Sequence, residues 1–281
     1  MFFNSKRVIV GLTTYYNENL MISLSGLSRF GKGAILIIHN DNPDTKITRR
    51  QIKDMGYKGR LYIINSSHNI GLLNSRLAII DFVKQHRIAA GWFIFVDDDD
   101  ILLNLDIPKI KSNHFAIIQN MAVIRTRLRD VLCAMMRPKD IQIDNQNIYM
   151  VRPHIGLAGT LVRTVHMIRL ADVLHFAQTG LSDVIEGLNF RPPTDMIMWS
   201  ALNIVAHNGT SDSTPIYMDT VNYIATDLDT VSQKYGMPIL PENNINDKIM
   251  AIIAKCDTVI HSAVADMSKD ATLSSHQTDS E

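Results

Sequence analysis

Over its first hundred residues the chain alternates short apolar runs with amphipathic ones. Arg7 to Thr13 (RVIVGLT), Ala34 to His39 and Arg60 to Ile64 are largely apolar and rich in β-branched residues, as strands buried on both faces of a sheet would be. Each run stops in turn formers: Thr14-Tyr15-Tyr16-Asn17-Glu18, then Asn40-Asp41-Asn42-Pro43, then Asn65-Ser66-Ser67-His68-Asn69. Helical stretches lie between them, one through Phe30, one from Thr45 to Met55, and one from Gly71 to His86. In the last, Leu73, Leu77, Ile80 and Val83 recur at helical spacing. A fourth apolar run, Trp92 to Val96, leads directly into Asp97, Asp98, Asp99 and Asp100.

Strands alternating with helices imply right-handed parallel crossovers and an open α/β sheet. Ligands of such sheets bind outside the carboxyl ends of the strands. That rule gathers Thr13 to Glu18, Asp41, Asn65 to Asn69 and Asp97 to Asp100 onto one rim. Beyond Ile101 the rhythm weakens. His114 to Arg125 and Asn147 to Val151 look strand-like, as does Ile216 to Ala225, and a mixed or antiparallel section is expected. Gly156-Leu157-Ala158-Gly159-Thr160 suits a close-packed or acceptor-lining loop, and helices are expected over 165–176 and from Thr194 to Val205. Ile249, Ile252, Ile253, Cys256, Val259 and Ile260 give an amphipathic helix within 246–265, and the Ser- and Asp-rich end from Met267 to Glu281 reads as disordered.

Four adjacent carboxylates repel one another unless a cation or water neutralises them. In extended geometry Asp97 and Asp99 would share one face, giving two hard oxygen ligands for Mg2+ or Mn2+ with positions left for phosphate oxygens. The alternative is an acidic helix start or turn with no metal.

Composition narrows the classes. Lys plus Arg and Asp plus Glu both number 28, so the formal charge is zero, and no basic block offers a nucleic-acid groove. The two cysteines, Cys133 and Cys256, lack metal-site spacing. No signal-peptide pattern and no long apolar span occur, so a soluble cytoplasmic protein without a transmembrane segment is expected. The amphipathic helix could dock on the core, on a second subunit or peripherally on the inner face of a membrane. GxGxxG, GxxxxGK[ST], GxSxG and HExxH motifs are all missing.

The order of VIVGLTTYYNE, IIHNDNP, HNIGLLNSR and FIFVDDDDIL resembles the donor half of the GT-A-fold nucleotide-sugar glycosyltransferases, in the large inverting family that carries a D-x-D-D motif. The resemblance covers about the first 105 residues and implies a GT-A domain, a Rossmann-like open mixed sheet flanked by helices. Its donor half would be 1–105 and its acceptor and catalytic half 106–240, followed by a C-terminal helix (241–266) and a tail (267–281). It also implies an enzyme that uses Mn2+ or Mg2+ to move a sugar from a nucleoside-diphosphate donor, a UDP-sugar first and a GDP-sugar second. The acceptor would be a glycan or other hydroxyl, in surface polysaccharide or glycoconjugate synthesis. By this resemblance Thr13, Tyr15, Glu18 and Asp41 line the nucleoside, and Asn17 orients the first loop. Asn69, Gly71 and Arg76 approach the base and diphosphate, Asp97 and Asp98 contact the donor, and Asp97 and Asp99 hold the metal.

An inverting transfer needs a carboxylate to take the acceptor hydroxyl's proton. Asp195 matches by its helix position after Pro192-Pro193, although an acidic residue there also suits a helix first turn. Asp183 and Glu186 are the next candidates. Arg125 could pair with phosphate, and His154, His166, His175 and His207 could complete a metal shell, though a lone His is more often simply satisfied. Met198 and Trp199 suit either an acceptor platform or the core. Two other readings remain: a catalytically inactive nucleotide-sugar binding protein, or a nucleotidyltransferase on a similar sheet.

Overall fold

The structure, a computed structural model, describes residues 7–105, 107–111, 113–124, 148–151, 157–186, 188, 194–207, 213–226 and 242–278. Strands β1 (Val8–Thr14), β2 (Ala34–Asn40), β3 (Arg60–Asn65) and β4 (Trp92–Asp97) pair in parallel in the order β3-β2-β1-β4. Helices α1 (Leu20–Leu27), α2 (Arg49–Asp54) and α3 (Gly71–Gln85) connect them, so the expected strand-helix rhythm is present. Thr13 stands opposite both His39 and Asp97, and Asn40 opposite Asn65. The polar strand ends therefore lie level on one rim.

The sheet then becomes mixed. Beyond β4 it runs through β8 (Leu161–Arg163), β6 (His114–Ile124), β9 (Thr214–Thr226) and β5 (Ile101–Leu102), with β7 (Ile148–Val151) paired to β6. β8 is antiparallel to β4 and β6, whereas β6 and β9 run parallel. Helices α4 (Thr164–Phe176), α5 (Gln178–Ile185), α6 (Thr194–His207) and α7 (Glu242–Thr278) complete the α/β layers. β5 is antiparallel to β9, so the donor and acceptor halves expected from the sequence share one sheet.

Alternation along the strands divides the interior into two cores. Ile9, Ile35, Ile37, Phe93 and Phe95 join the cluster under α3, α4, α6 and α7. Val8, Val10, Leu12, Leu36, Ile38, Trp92, Ile94 and Val96 join the cluster with α1 and α2. At the rim this parity sends Asp97 toward the α3 face and aligns Asp98 with Thr14 on the α1 face.

Local chemistry moves several boundaries. The helix expected from Thr45 begins only at Arg49, because Thr48 and Gln51 form a capping box that fixes the start. The residues before it are tied into a loop. The terminal helix runs to Thr278, so the backbone of 267–278, expected to be disordered, is helical. No glycine or proline interrupts Glu242 to Thr278, and nothing in that stretch breaks the helix. Arg125, His154 and Gly156 lie outside the described residues.

Gly159 shows how tightly the two halves meet. Its N–H donates to Phe95 O at 2.8 Å and its φ is +77°. A Cβ there would stand 2.7 Å from Cγ of Tyr223. We expect Gly159→Ala to lower stability by about 2–4 kcal/mol, through left-handed backbone strain and overpacking together, read as a drop in the thermal unfolding midpoint. An unchanged midpoint would contradict this close approach.

Candidate functional site

The rim is built from side chains that organise its loops. Asn40, fully buried, donates through Nδ2 to Thr45 O at 2.7 Å and to Asn65 Oδ1 at 3.0 Å. Asn65 Oδ1 also accepts from Ile47 N at 2.9 Å. An amide pair thus replaces strand pairing where β2 and β3 end. Asn17 Nδ2 donates to Thr45 Oγ1 at 2.6 Å and Asn42 Nδ2 to Tyr15 O at 3.0 Å, which fastens the first loop to the second. Asn17 therefore does orient its loop.

Asp41 is buried, and its two oxygens accept from Ile70 N (2.8 Å) and Gly71 N (2.9 Å). It holds the start of α3, where a carboxylate also meets the positive end of the helix dipole. Gly71 has φ +79°, and Asn69 Oδ1 accepts from the same N–H at 2.9 Å. Thr13 is buried at the end of β1, Tyr15 is half-buried with its ring edge-on to Tyr16, and Glu18 is exposed in the turn before α1. The structure thus places Thr13, Tyr15, Glu18, Asp41, Asn69 and Gly71 along the same rim.

The acidic run does not continue as a strand. β4 ends at Asp97, and Asp100 N donates to Asp97 O at 3.1 Å, closing a turn. The strand alternation that would have put Asp97 and Asp99 on one face therefore breaks after Asp98. Asp98 accepts from Thr14 Oγ1 at 2.5 Å. Its residue is half-buried, but its carboxyl lies deep and is pushed up to about 8, first by burial and then by Asp99, with Asp97 adding and the Thr14 bond opposing. Asp100 is buried and accepts from the Tyr223 hydroxyl at 2.7 Å, while Asp97 N donates to that hydroxyl at 3.1 Å. Burial, then Asp100 and Asp97, holds the Tyr223 hydroxyl well above its ordinary value, so it stays protonated.

Arg76 corrects an expectation. Expected to approach the donor diphosphate, it is wholly buried on α3 and donates to two carboxylates: Nη2 to Asp97 Oδ1 at 2.9 Å and Nη1 to Asp195 Oδ1. Its guanidinium lies over the Phe95 ring, 5.2 Å from the centroid. Burial opposes its charge, but Asp195 and then Asp97 outweigh burial and hold the guanidinium above its ordinary value. A fork already committed to two carboxylates is not free for phosphate.

Asp195 lies in the first turn of α6 with its side chain 29% exposed. Met198 belongs to the core and Trp199 packs against it, 6.2 Å from the Phe115 ring, so neither forms a platform at the rim. Asp183 is exposed on α5, Glu186 is exposed just past its end, and His207 is exposed at the end of α6. His175 bonds Asp81, and His166 packs near Phe115. Burial, then Arg169 and Arg163, lowers His166 to about 4. Among the described residues no three His, Cys, Asp or Glu side chains form a metal-holding group. The carboxylates of the turn from Asp97 to Asp100 are the hard oxygen donors gathered at the rim, and they fall short of such a group. An incomplete set suits Mg2+ or Mn2+, which retain water and substrate oxygens.

No family model and no curated protein matches the chain. Solved structures do, 148 chains in all. S. aureus TarS 1-349 shares 13% identity at a TM-score of 0.45, over 88% of this chain and 70% of that one. The mannosyltransferase PcManGT from Pyrobaculum calidifontis, in complex with GDP-Man and Mn2+, shares 9% identity at a TM-score of 0.40, over 98% and 80%. The apo-form glycosyltransferase GlyE of Streptococcus pneumoniae TIGR4 shares 11% at 0.36, over 94% and 64%. The likeness is one of remote overall shape.

Asp98 makes stability depend on pH. The unfolded carboxyl loses its proton near 3.8 and the folded one near about 8, so between these values the folded state binds more protons and stability falls as pH rises. Without divalent cations the unfolding midpoint is expected to drop across that window. The loss is on the order of a few kcal/mol, and Asp98→Asn should flatten the slope. An equally steep slope in the variant would exclude Asp98 as its source.

Proposed function

We propose that the chain is an inverting, metal-dependent glycosyltransferase that moves a sugar from a nucleoside-diphosphate donor to a glycan or other hydroxyl acceptor. The observation that carries this reading is the crowded carboxylate turn at the carboxyl end of a central parallel strand, joined through Arg76 to a second, half-exposed carboxylate on α6. The order of the four rim motifs supports it. A UDP-sugar is the first choice of donor and a GDP-sugar the second.

In this reading Thr13, Tyr15, Glu18 and the loop held by Asn17 and Asn42 line the nucleoside. Asp41, with Asn69 and Gly71, sets the start of α3 beside it. Asp97 and Asp99 would hold Mn2+ or Mg2+, which supplies counter-charge for the departing diphosphate. Asp98, held by Thr14 at the end of β1, would contact the donor beside them. Asp195 commits Oδ1 to Arg76 and would take the acceptor proton on its other oxygen as that hydroxyl attacks the anomeric carbon opposite the leaving group. The two expected halves act as one domain, with the donor on the parallel rim and the acceptor toward α6. A role in surface polysaccharide or glycoconjugate synthesis fits such an acceptor. No helix among the described residues is long and apolar enough to cross a membrane, and a cytoplasmic site of action, with α7 available for peripheral contact, belongs to the same proposal.

Two measurements test it. Isothermal titration with UDP and GDP should show binding that strengthens at least about tenfold when Mn2+ is added, and Asp99→Ala should abolish that gain. Intact metal-dependent binding in Asp99→Ala would sink the metal assignment. Asp195→Asn should keep donor affinity but lose transfer by about a hundredfold or more. Nucleotide binding with no transfer across a broad acceptor panel would instead favour a sugar-nucleotide binding protein.

A further inference from the structure

Arg76 is a costly choice for the place it occupies. Removing a guanidinium from water is repaid only by close counter-charges and hydrogen bonds, and its Nε stays buried without a partner among the described residues. An apolar side chain of similar size would fill the same stripe of α3, beside Ile79, Ile80 and Val83, with no such penalty. The two carboxylates it binds are not buried with it. Asp97 and Asp195 keep 33% and 29% of their side chains exposed, and they come from β4 and α6, far apart in the sequence. Below, the Phe95 ring limits movement of the fork. The guanidinium is planar and rigid, so two carboxylates bonded to its two Nη atoms are held at one separation. A lysine ammonium at this depth would be a point charge with no such geometry.

We propose that Arg76 is a positioning residue of the transfer reaction, fixing Asp97 of the donor turn and Asp195 of α6 at the spacing that lets one handle the donor while the other receives the acceptor proton. This rests on the transferase reading above and adds to it a residue that touches neither substrate. Arg76 is the only side chain among the described residues that bonds both carboxylates. It therefore makes the geometry of the proposed base depend on the end of the donor strand.

The test has two arms. In the first, unfolding midpoints are measured for Asp97→Asn, Asp195→Asn and the double variant, in the native background and with Arg76→Met. The two losses should be non-additive when Arg76 is present and additive when it is replaced. If Arg76→Met does not fold, the same cycle in Arg76→Lys takes its place, with the non-additivity reduced. In the second arm, Arg76→Lys is assayed for transfer with Mn2+ and the sugar nucleotide that the wild type uses. The donor KM should stay within about threefold while kcat falls about a hundredfold or more, as misplacement of a reacting group predicts. Additive losses in the native background, or a kcat within about threefold of wild type, would overturn the positioning role. A rise in KM that accounts for the whole loss would overturn it too. A wild type that binds nucleotide but transfers nothing would overturn the transferase reading and this role with it, whereas an active wild type with an equally active Arg76→Lys overturns this role alone.

Discussion

A guanidinium in a protein interior must be met by negative charge, and that constraint arranges the centre of this molecule. Arg76 draws Asp97 from the end of β4 and Asp195 from the start of α6 into one network. The strand that ends in Asp97 is the one whose Phe93 and Phe95 fill the core under α3. Parallel sheet, packing helix and rim chemistry thus converge on a single side chain. Removing either carboxylate would leave a buried cation under-compensated, which is a far larger perturbation than the loss of a surface ion pair.

The opposite sign of the same problem occurs one residue later. Burial first, and the neighbouring Asp99 second, push the Asp98 carboxyl up to about 8. Within two consecutive positions the chain has one carboxylate paired with a fixed protein cation and one whose charge burial disfavours. Tyr223 joins these positions to the far half of the sheet, since its hydroxyl meets both the Asp97 backbone and the Asp100 carboxylate.

The parallel half was legible because its strands are fully apolar and stop abruptly in turn formers, a contrast strong enough to survive without context. The acidic turn was equally visible, but its internal geometry was not: alternation predicts faces only while the strand lasts, and the Asp100-to-Asp97 bond ends it. Arg76 left a readable trace that spacing to Leu73 and Leu77 obscured. It stands at the head of the stripe continued by Ile79, Ile80 and Val83, where a charged residue signals a buried ion pair rather than a solvated helix face. Asn40 and Asn65 read as ordinary strand ends, because an amide pair that holds a loop has no sequence pattern of its own. β8 has three residues and β5 two, too few for periodicity to register.

β5 has a consequence for how such a chain can be divided. Ile101 and Leu102 leave the acidic turn and pair with Ile224 and Tyr223 at the distant edge of the sheet, and the backbone oxygen of Leu102 lies where a Cβ on Gly26 would come within 2.9 Å. The polypeptide that finishes the first half is therefore woven into the second before the first is closed. A cut near residue 105 would not release two modules but would leave each with an unpaired edge. Exchange of the segments beyond the acidic turn between proteins of this shape would have to carry the β5 dipeptide and its partner strand together, so the unit of inheritance is the interlaced pair and not the half.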